Sequence, residues 1–481
     1  MTLGTPPRTT GSAGSTGVWA PDRRSLTVGI ALAVTVVAFE ALSVATILPD
    51  VSRHLGDLRL YGWVFSAFLL ASLLGIVVAG SLADRGRLVS PMLGGLALFA
   101  CGLVIGGLAP DMPTLVAGRA VQGVGAGVVP AVAYVAISRG YPDEARPHMF
   151  AVLSTAWVVP GLVGPVAAAF VATSVGWRWV FLGLLPLVVV AGALAAFSLR
   201  SLTVPVRPAT ARTTGLAYLP VLGTIGGGAL ALGSLSVVDR TPAAGAGLAA
   251  GVAVLVISLR ALMPRGPLVA AGGLAATVLT RGLVTCCFYA GEAYVPYALT
   301  IVRHAPASLS AFALMASTLT WTAGSWTQAR VVRRVGPRLL VRVGQCITLA
   351  GLAIMGATLL PQSPSWLGVV AWGVAGGGMG IGYAPMSLAA LDAAAPGEEG
   401  SATASLQVFD VLGQAIGTGG AGALVAATAS AVGHRIGVGT AFAFGAAVGF
   451  GGLAASVRVP RRLRAGAPGD THVVAHEPSG G

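Results

Sequence analysis

Three acidic residues stand inside long apolar runs: Glu40 in "VVAFEALSV", Glu292 in "FYAGEAYVP" and Asp410 in "LQVFDVLGQ". Two arginines do the same, Arg119 in "LVAGRAVQG" and Arg281 in "VLTRGLVT". Apolar surroundings penalise an ionised carboxylate and favour its neutral form. An acid so placed can take a proton from one side of a barrier and release it to the other when its surroundings alternate. The alternative is a neutral or paired acid that only fixes helix packing. An arginine in a membrane costs roughly 2.5 kcal/mol or more even on lenient scales, so it must face a cavity or a partner. Gln122 lies one turn from Arg119 on the same helical face, and Phe288 and Tyr289 lie one turn before Glu292. Asp410 falls nearer the end of its run, where it can pair with an arginine.

The elements that position these residues must be membrane helices. The 481 residues are 55% hydrophobic and only 9% charged, against about 25% charged in soluble domains. A bilayer core of about 30 Å takes about 20 apolar residues per helix. That criterion predicts fourteen spans, near 26–48, 62–82, 91–109, 113–137, 148–172, 179–199, 216–238, 243–262, 275–302, 308–328, 338–360, 366–390, 403–427 and 437–456. Arginines concentrate in the loops and tails on the N-terminal side of this map, which places both termini in the cytoplasm. The net charge of +13 therefore reads as an orientation signal and not as a nucleic-acid surface. All 29 basic residues are arginine. Without lysine there is no Walker-type ATP loop and no Schiff-base chemistry. Metal-ligand spacing, a nucleophile elbow and a phosphate loop are also missing, so neither an enzyme nor a cofactor or metal site is expected. The four cysteines read as small buried hydrophobes.

Internal similarity divides the chain. "QGVGAGVVP" (122–130) matches "GGMGIGYAP" (377–385) at an offset of 255. "GSLADR" (80–85) meets "GSWTQA" (324–329), which sets Gln328 against Asp84, and "FEA" (39–41) meets "GEA" (291–293). Two parallel six-span halves follow: 26–199 and 275–456. Between them, 200–274 holds a polar cytoplasmic linker and two inserted spans. Residues 1–25 and 457–481 read as disordered tails.

Four motifs sharpen the picture. "GSLADRGRLVSPML" follows span 2; "LVAGRAVQGVGAG" places Arg119 in span 4; "PGLVGP" (160–165) lies in span 5; "GWRWVFLGLLP" opens span 6. Together they resemble the major facilitator superfamily, and most closely its fourteen-span drug:proton antiporter branch. The resemblance implies an all-α polytopic membrane protein of the major-facilitator type, two six-helix bundles with two additional central helices. It implies a cytoplasmic gate at Gly80, Asp84, Arg85 and Arg87, although this copy is one residue short after Arg85. It implies proton coupling that involves Arg119, and an antiporter motif at Pro160, Gly161, Gly164 and Pro165.

The expected protein is a proton-coupled transporter in the plasma membrane, and the resemblance implies that it is an efflux antiporter for amphipathic drugs. Glu40, Glu292, Arg119 and Asp410 would serve proton coupling, and Gln122, Tyr289, Phe288 and Gln407 the substrate cavity. Aromatic-lined cavities suit amphipathic or cationic compounds by area burial and cation–π contact. The expected partners are a small-molecule substrate, protons and the lipid bilayer, with no nucleic acid or ATP, and the chain is expected to be a monomer. Two alternatives stand beside this reading: a dedicated exporter of one metabolite, antibiotic or lipid, and a non-transporting sensor or scaffold on the same fold.

Overall fold

A computed structural model of the chain describes residues 17–21, 23–84, 88–142, 145–200, 218–237, 241–262, 273–394 and 399–462. The described residues form helices and no strand. The first bundle comprises α1 (Arg24–Leu55), α2 (Tyr61–Asp84), α3 (Val89–Gly107), α4 (Met112–Gly140), α5 (Arg146–Ser174) and a sixth span made of α6 (Arg178–Leu182) and α7 (Leu185–Leu199). The inserted pair is α8 (Leu219–Leu235) and α9 (Pro242–Leu262). The second bundle comprises α10 (Gly273–Glu292) with the single turn α11 (Val295–Tyr297), then α12 (Ala307–Val335), α13 (Pro337–Thr358), α14 (Leu367–Ala393), α15 (Glu399–Val432) and α16 (His434–Ser456). These fourteen helical segments stand where the sequence places its fourteen spans; among the described residues twelve are long and apolar enough to cross a membrane, and α8 is a shorter apolar helix. Large apolar side chains such as Phe170, Phe197 and Phe450 point outward, where lipid replaces water.

Two halves repeat one packing plan, and glycines write it. A Cβ on Gly123 of α4 would stand 2.1 Å from the Phe68 carbonyl oxygen of α2, and one on Gly127 would stand 2.0 Å from that of Ser72. In the second half, Gly376 and Gly380 of α14 meet the carbonyls of Ser317 and Trp321 of α12 at 2.3 and 2.1 Å in the same way. Gly125 against α3 and Gly378 against α13 complete the correspondence. In each of these pairs the fourth-helix residues lie 253 apart. The offset of 255 expected from the sequence is therefore two residues out of register. A Gly-x-Gly-x-Gly stripe matches itself after a shift of two, so Pro130 and Pro385 are not equivalents. Gly324 likewise answers Gly75 and not Gly80, since each seats against a fourth-helix carbonyl, Gly377 and Val124. Counted from there, Arg333 and not Gln328 stands at the place of Asp84.

The first span of the second half also departs from expectation. Residues 275–302 read as one continuous span, but α10 stops at Glu292, turns at Ala293–Tyr294, and resumes through α11 into a π-helical turn over Ala298–Val302. Pro296 is the cause: it has no N–H to give the Glu292 carbonyl four residues back, and its ring crowds that carbonyl. Two of the cysteines, Cys101 and Cys346, are exposed on the outside of the bundle and not buried, while Cys286 and Cys287 are buried.

The glycine contacts make a direct prediction. Gly123→Val should destabilise by about 1–3 kcal/mol through overpacking, seen as a lower midpoint of thermal unfolding in detergent. Gly226→Ala, with nothing within 4 Å of the added carbon, should leave that midpoint unchanged or raise it.

Candidate functional site

In the first half, α4 begins with Asp111, whose carboxylate accepts from the Thr114 N–H at 2.8 Å, and with Pro113 in its first turn. Two turns on, Arg119 is 2% exposed. Its Nη1 donates to Glu40 of α1 and to Gln122 Oε1 at 2.7 Å, and its Nε donates to the Val64 carbonyl of α2 at 3.0 Å. The guanidinium also lies 4.1 Å from the Phe68 ring centroid. Glu40 is itself 1% exposed. This is a dry ion pair that ties three helices together.

The second half has a different arrangement at the same place. Trp372 lies 253 residues after Arg119, the spacing of the glycine pairs, and occupies the equivalent position on α14. Its Nε1 donates to Glu292 Oε2 at 3.2 Å. Its ring stacks on Phe288 at 5.0 Å, and Phe288 packs edge-on against Tyr289 and Trp321. Gly291 is required here, because a Cβ would stand 2.6 Å from the indole. Among the described residues, no arginine or histidine pairs with Glu292. Glu292 also retains some exposure, unlike Glu40. One repeat thus carries a charged pair, and the other an acid met by a neutral donor at a helix break.

A cavity of about 500 Å³ lies between the bundles, in the half nearer the N-terminus. Phe68, Tyr134, Trp157 and Tyr383 line it, with one polar cluster on α10, α14 and α15. There Arg281 Nε donates to Asp410 Oδ1 at 2.8 Å, and Tyr383 Oη and Gln414 Nε2 donate to Oδ2 at 2.8 and 3.2 Å. Of the four residues expected on the cavity wall, Gln407 is there. Gln122, Phe288 and Tyr289 are not: the first is buried on Arg119, and the other two belong to the aromatic packing around Trp372. The sequence reading missed Trp372, Tyr383 and Gln414. The 253-residue register would have found Trp372.

The opposite half between the bundles is closed. Tyr61 packs on Tyr294 and Tyr297 at 5.1 and 5.3 Å and donates to the Ala293 carbonyl. Ser66 of α2 donates to the Ala415 carbonyl of α15 at 2.8 Å. On α5, Pro160, Gly161, Gly164 and Pro165 are all buried within one unbroken helix. Gly161 admits Thr318 of α12, which would stand 2.3 Å from a Cβ, so this motif joins the two bundles. Of the expected gate, Gly80 has open space around it. Arg85, Arg87 and the side chain of Asp84 lie outside the described residues.

Two six-helix bundles with a cavity between them are the architecture of a membrane transporter. The profile of the Major Facilitator Superfamily matches residues 28–418, and the chain belongs to that family. Over 447 residues it is 28% identical to a "Probable multidrug-efflux transporter" of Mycobacterium tuberculosis, covering 86% of this chain and 91% of the relative. It is 24% identical to the "Multidrug transporter protein MdtP" of Bacillus subtilis, covering 82% and 74%. Among solved structures, a D-xylose–proton symporter superposes with a TM-score of 0.66 at 14% identity, covering 91% of this chain and 98% of that one. The POT family transporter PepTSo gives 0.66 at 12%, covering 90% and 96%.

Breaking the dry pair should be severe. Glu40→Gln and Arg119→Gln are each expected to cost about 3–5 kcal/mol, because the surviving partner stays buried without its counter-charge. The double variant should recover part of the loss. Thermal unfolding of all four proteins in detergent, treated as a double-mutant cycle, reads the coupling.

Proposed function

We propose that the protein is a proton-coupled exporter that moves small amphipathic compounds out across the plasma membrane by alternating access. The difference between Glu40 and Glu292 carries this reading. Glu40 is held by Arg119, so a proton arriving there must break an ion pair. Glu292 meets only the uncharged N–H of Trp372, so it can gain or lose a proton with no cation to displace. It also sits two residues from Tyr294, a member of the tyrosine plug that closes the far half. A change of charge at the helix break therefore acts directly on the plug.

The arginine distribution supports cytoplasmic termini, which makes the cavity inward-facing. Cargo enters from the cytoplasm, the bundles rock, and the plug opens. A proton from outside then neutralises Glu292, cargo leaves, and loss of the proton to the cytoplasm resets the cycle. Gly80, Asp84, Arg85 and Arg87 act as the inner gate, and Pro160 to Pro165 as the flexing seam between α5 and α12. The names of the relatives support export of drug-like compounds, and the chain works as a monomer with cargo, protons and lipid as its partners.

Inverted vesicles with an imposed pH gradient test this, using cationic, neutral and anionic amphipathic dyes. Dye-triggered proton movement should occur with the natural chain and fall at least tenfold in Glu292→Gln, while dye binding persists. Full coupling in Glu292→Gln would refute the assignment. No flux of any dye in the natural chain would favour a sensor or scaffold.

A further inference from the structure

The polar cluster on the cavity wall is unevenly satisfied. Asp410 uses both oxygens, one for Arg281 and one for Tyr383 and Gln414. Arg281 commits Nε to Asp410 and Nη1 to the Tyr383 carbonyl at 2.8 Å. Its Nη2 donates to nothing among the described residues, and it is not one of the occluded, unpartnered atoms. It therefore opens on the cavity that Arg281 lines. The guanidinium is held in place, 3.0 Å from the Tyr383 ring centroid, so its free Nη2 is aimed before any ligand arrives. The free cationic donor of this cluster is Arg281 Nη2, and beside it only the neutral amide of Gln414 and the Tyr383 hydroxyl keep capacity to spare while Asp410 already accepts three bonds. Glu40 and Glu292 are not on the cavity wall.

We infer that Arg281 is the polar anchor for cargo, and that the preferred cargo is an amphiphile carrying a carboxylate. A planar guanidinium edge matches a carboxylate better than any other side chain does. The apolar body of such a ligand would lie against Phe68, Tyr134 and Trp157, in a space of about 500 Å³ that suits a drug-sized molecule. A cation, by contrast, would have to share Asp410 with Arg281, Tyr383 and Gln414, which already donate to it. This rests on the cavity being the cargo site of the proposed transporter, and it replaces the cationic preference that aromatic content alone suggests. Outward movement of an anion against an inward proton would carry two charges per cycle, so export should respond to membrane potential as well as to ΔpH.

The test is binding to the purified full chain in nanodiscs, with three probes sharing one naphthyl body: a carboxylate, its primary amide and the matching trimethylammonium. The natural chain should bind the carboxylate at least tenfold more tightly than the ammonium. Arg281→Gln should erase that preference, and Arg281→Lys should keep part of it. Because Arg281→Gln leaves Asp410 unpaired and can misfold, the double variant Arg281→Gln with Asp410→Asn removes both charges and should also show no preference. Glu292→Gln should keep the carboxylate preference, so loss of proton coupling there and loss of charge selection at Arg281 are read separately. Equal binding of all three probes, a preference for the ammonium, or a carboxylate preference that survives the double variant would each overturn the inference.

Discussion

Helices in a bilayer gain no hydrophobic energy from meeting one another, because lipid tails are as apolar as their side chains. Cohesion must come from dispersion and close fit, and here the fit is backbone on backbone. The glycine stripes of α4 and α14 bring those helices against α2, α3, α12 and α13 so closely that a methyl group would collide with a carbonyl. These two helices carry the partners of the buried acids: Arg119 on one, for Glu40, and Trp372 and Tyr383 on the other, for Glu292 and Asp410. A rigid seat is what lets an arginine be buried at all, since its donors must find their acceptors without adjustment.

From that shared seat the halves diverge. The same helix contacts occur twice, 253 residues apart, yet residue 119 is a cation and residue 372 is an indole. One carboxylate thereby has a charged partner and the other a neutral donor. The helix interruption directly after Glu292 adds to the contrast.

Much of this was legible in the residues. Fourteen spans follow from apolar length alone, and the three acids stand out because so few charges interrupt the runs. The halves were visible as well, but their register was not. A stripe of alternating glycines looks the same after sliding by two, and only carbonyl contacts from neighbouring helices distinguish the choices. The same limit hid Trp372 and misplaced Phe288 and Tyr289. Helical spacing says which residues share a face, but not whether that face meets open space or another helix. Pro296 marks a place where this span can break, but Pro160 and Pro165 sit in an unbroken helix, so proline alone does not announce the interruption.

The inserted pair has an outcome for symmetry. α8 lies against both bundles on one side, with Leu70 of α2 on Gly228, Leu232 on Gly419 of α15, and Trp63 donating to Ser236 at 3.2 Å. The opposite side is where Thr318 fills the notch at Gly161, with no additional helix over it among the described residues. Among the described residues one flank therefore carries an added helix and the other does not, and a swing of the bundles would have to drag a third body along at one edge only.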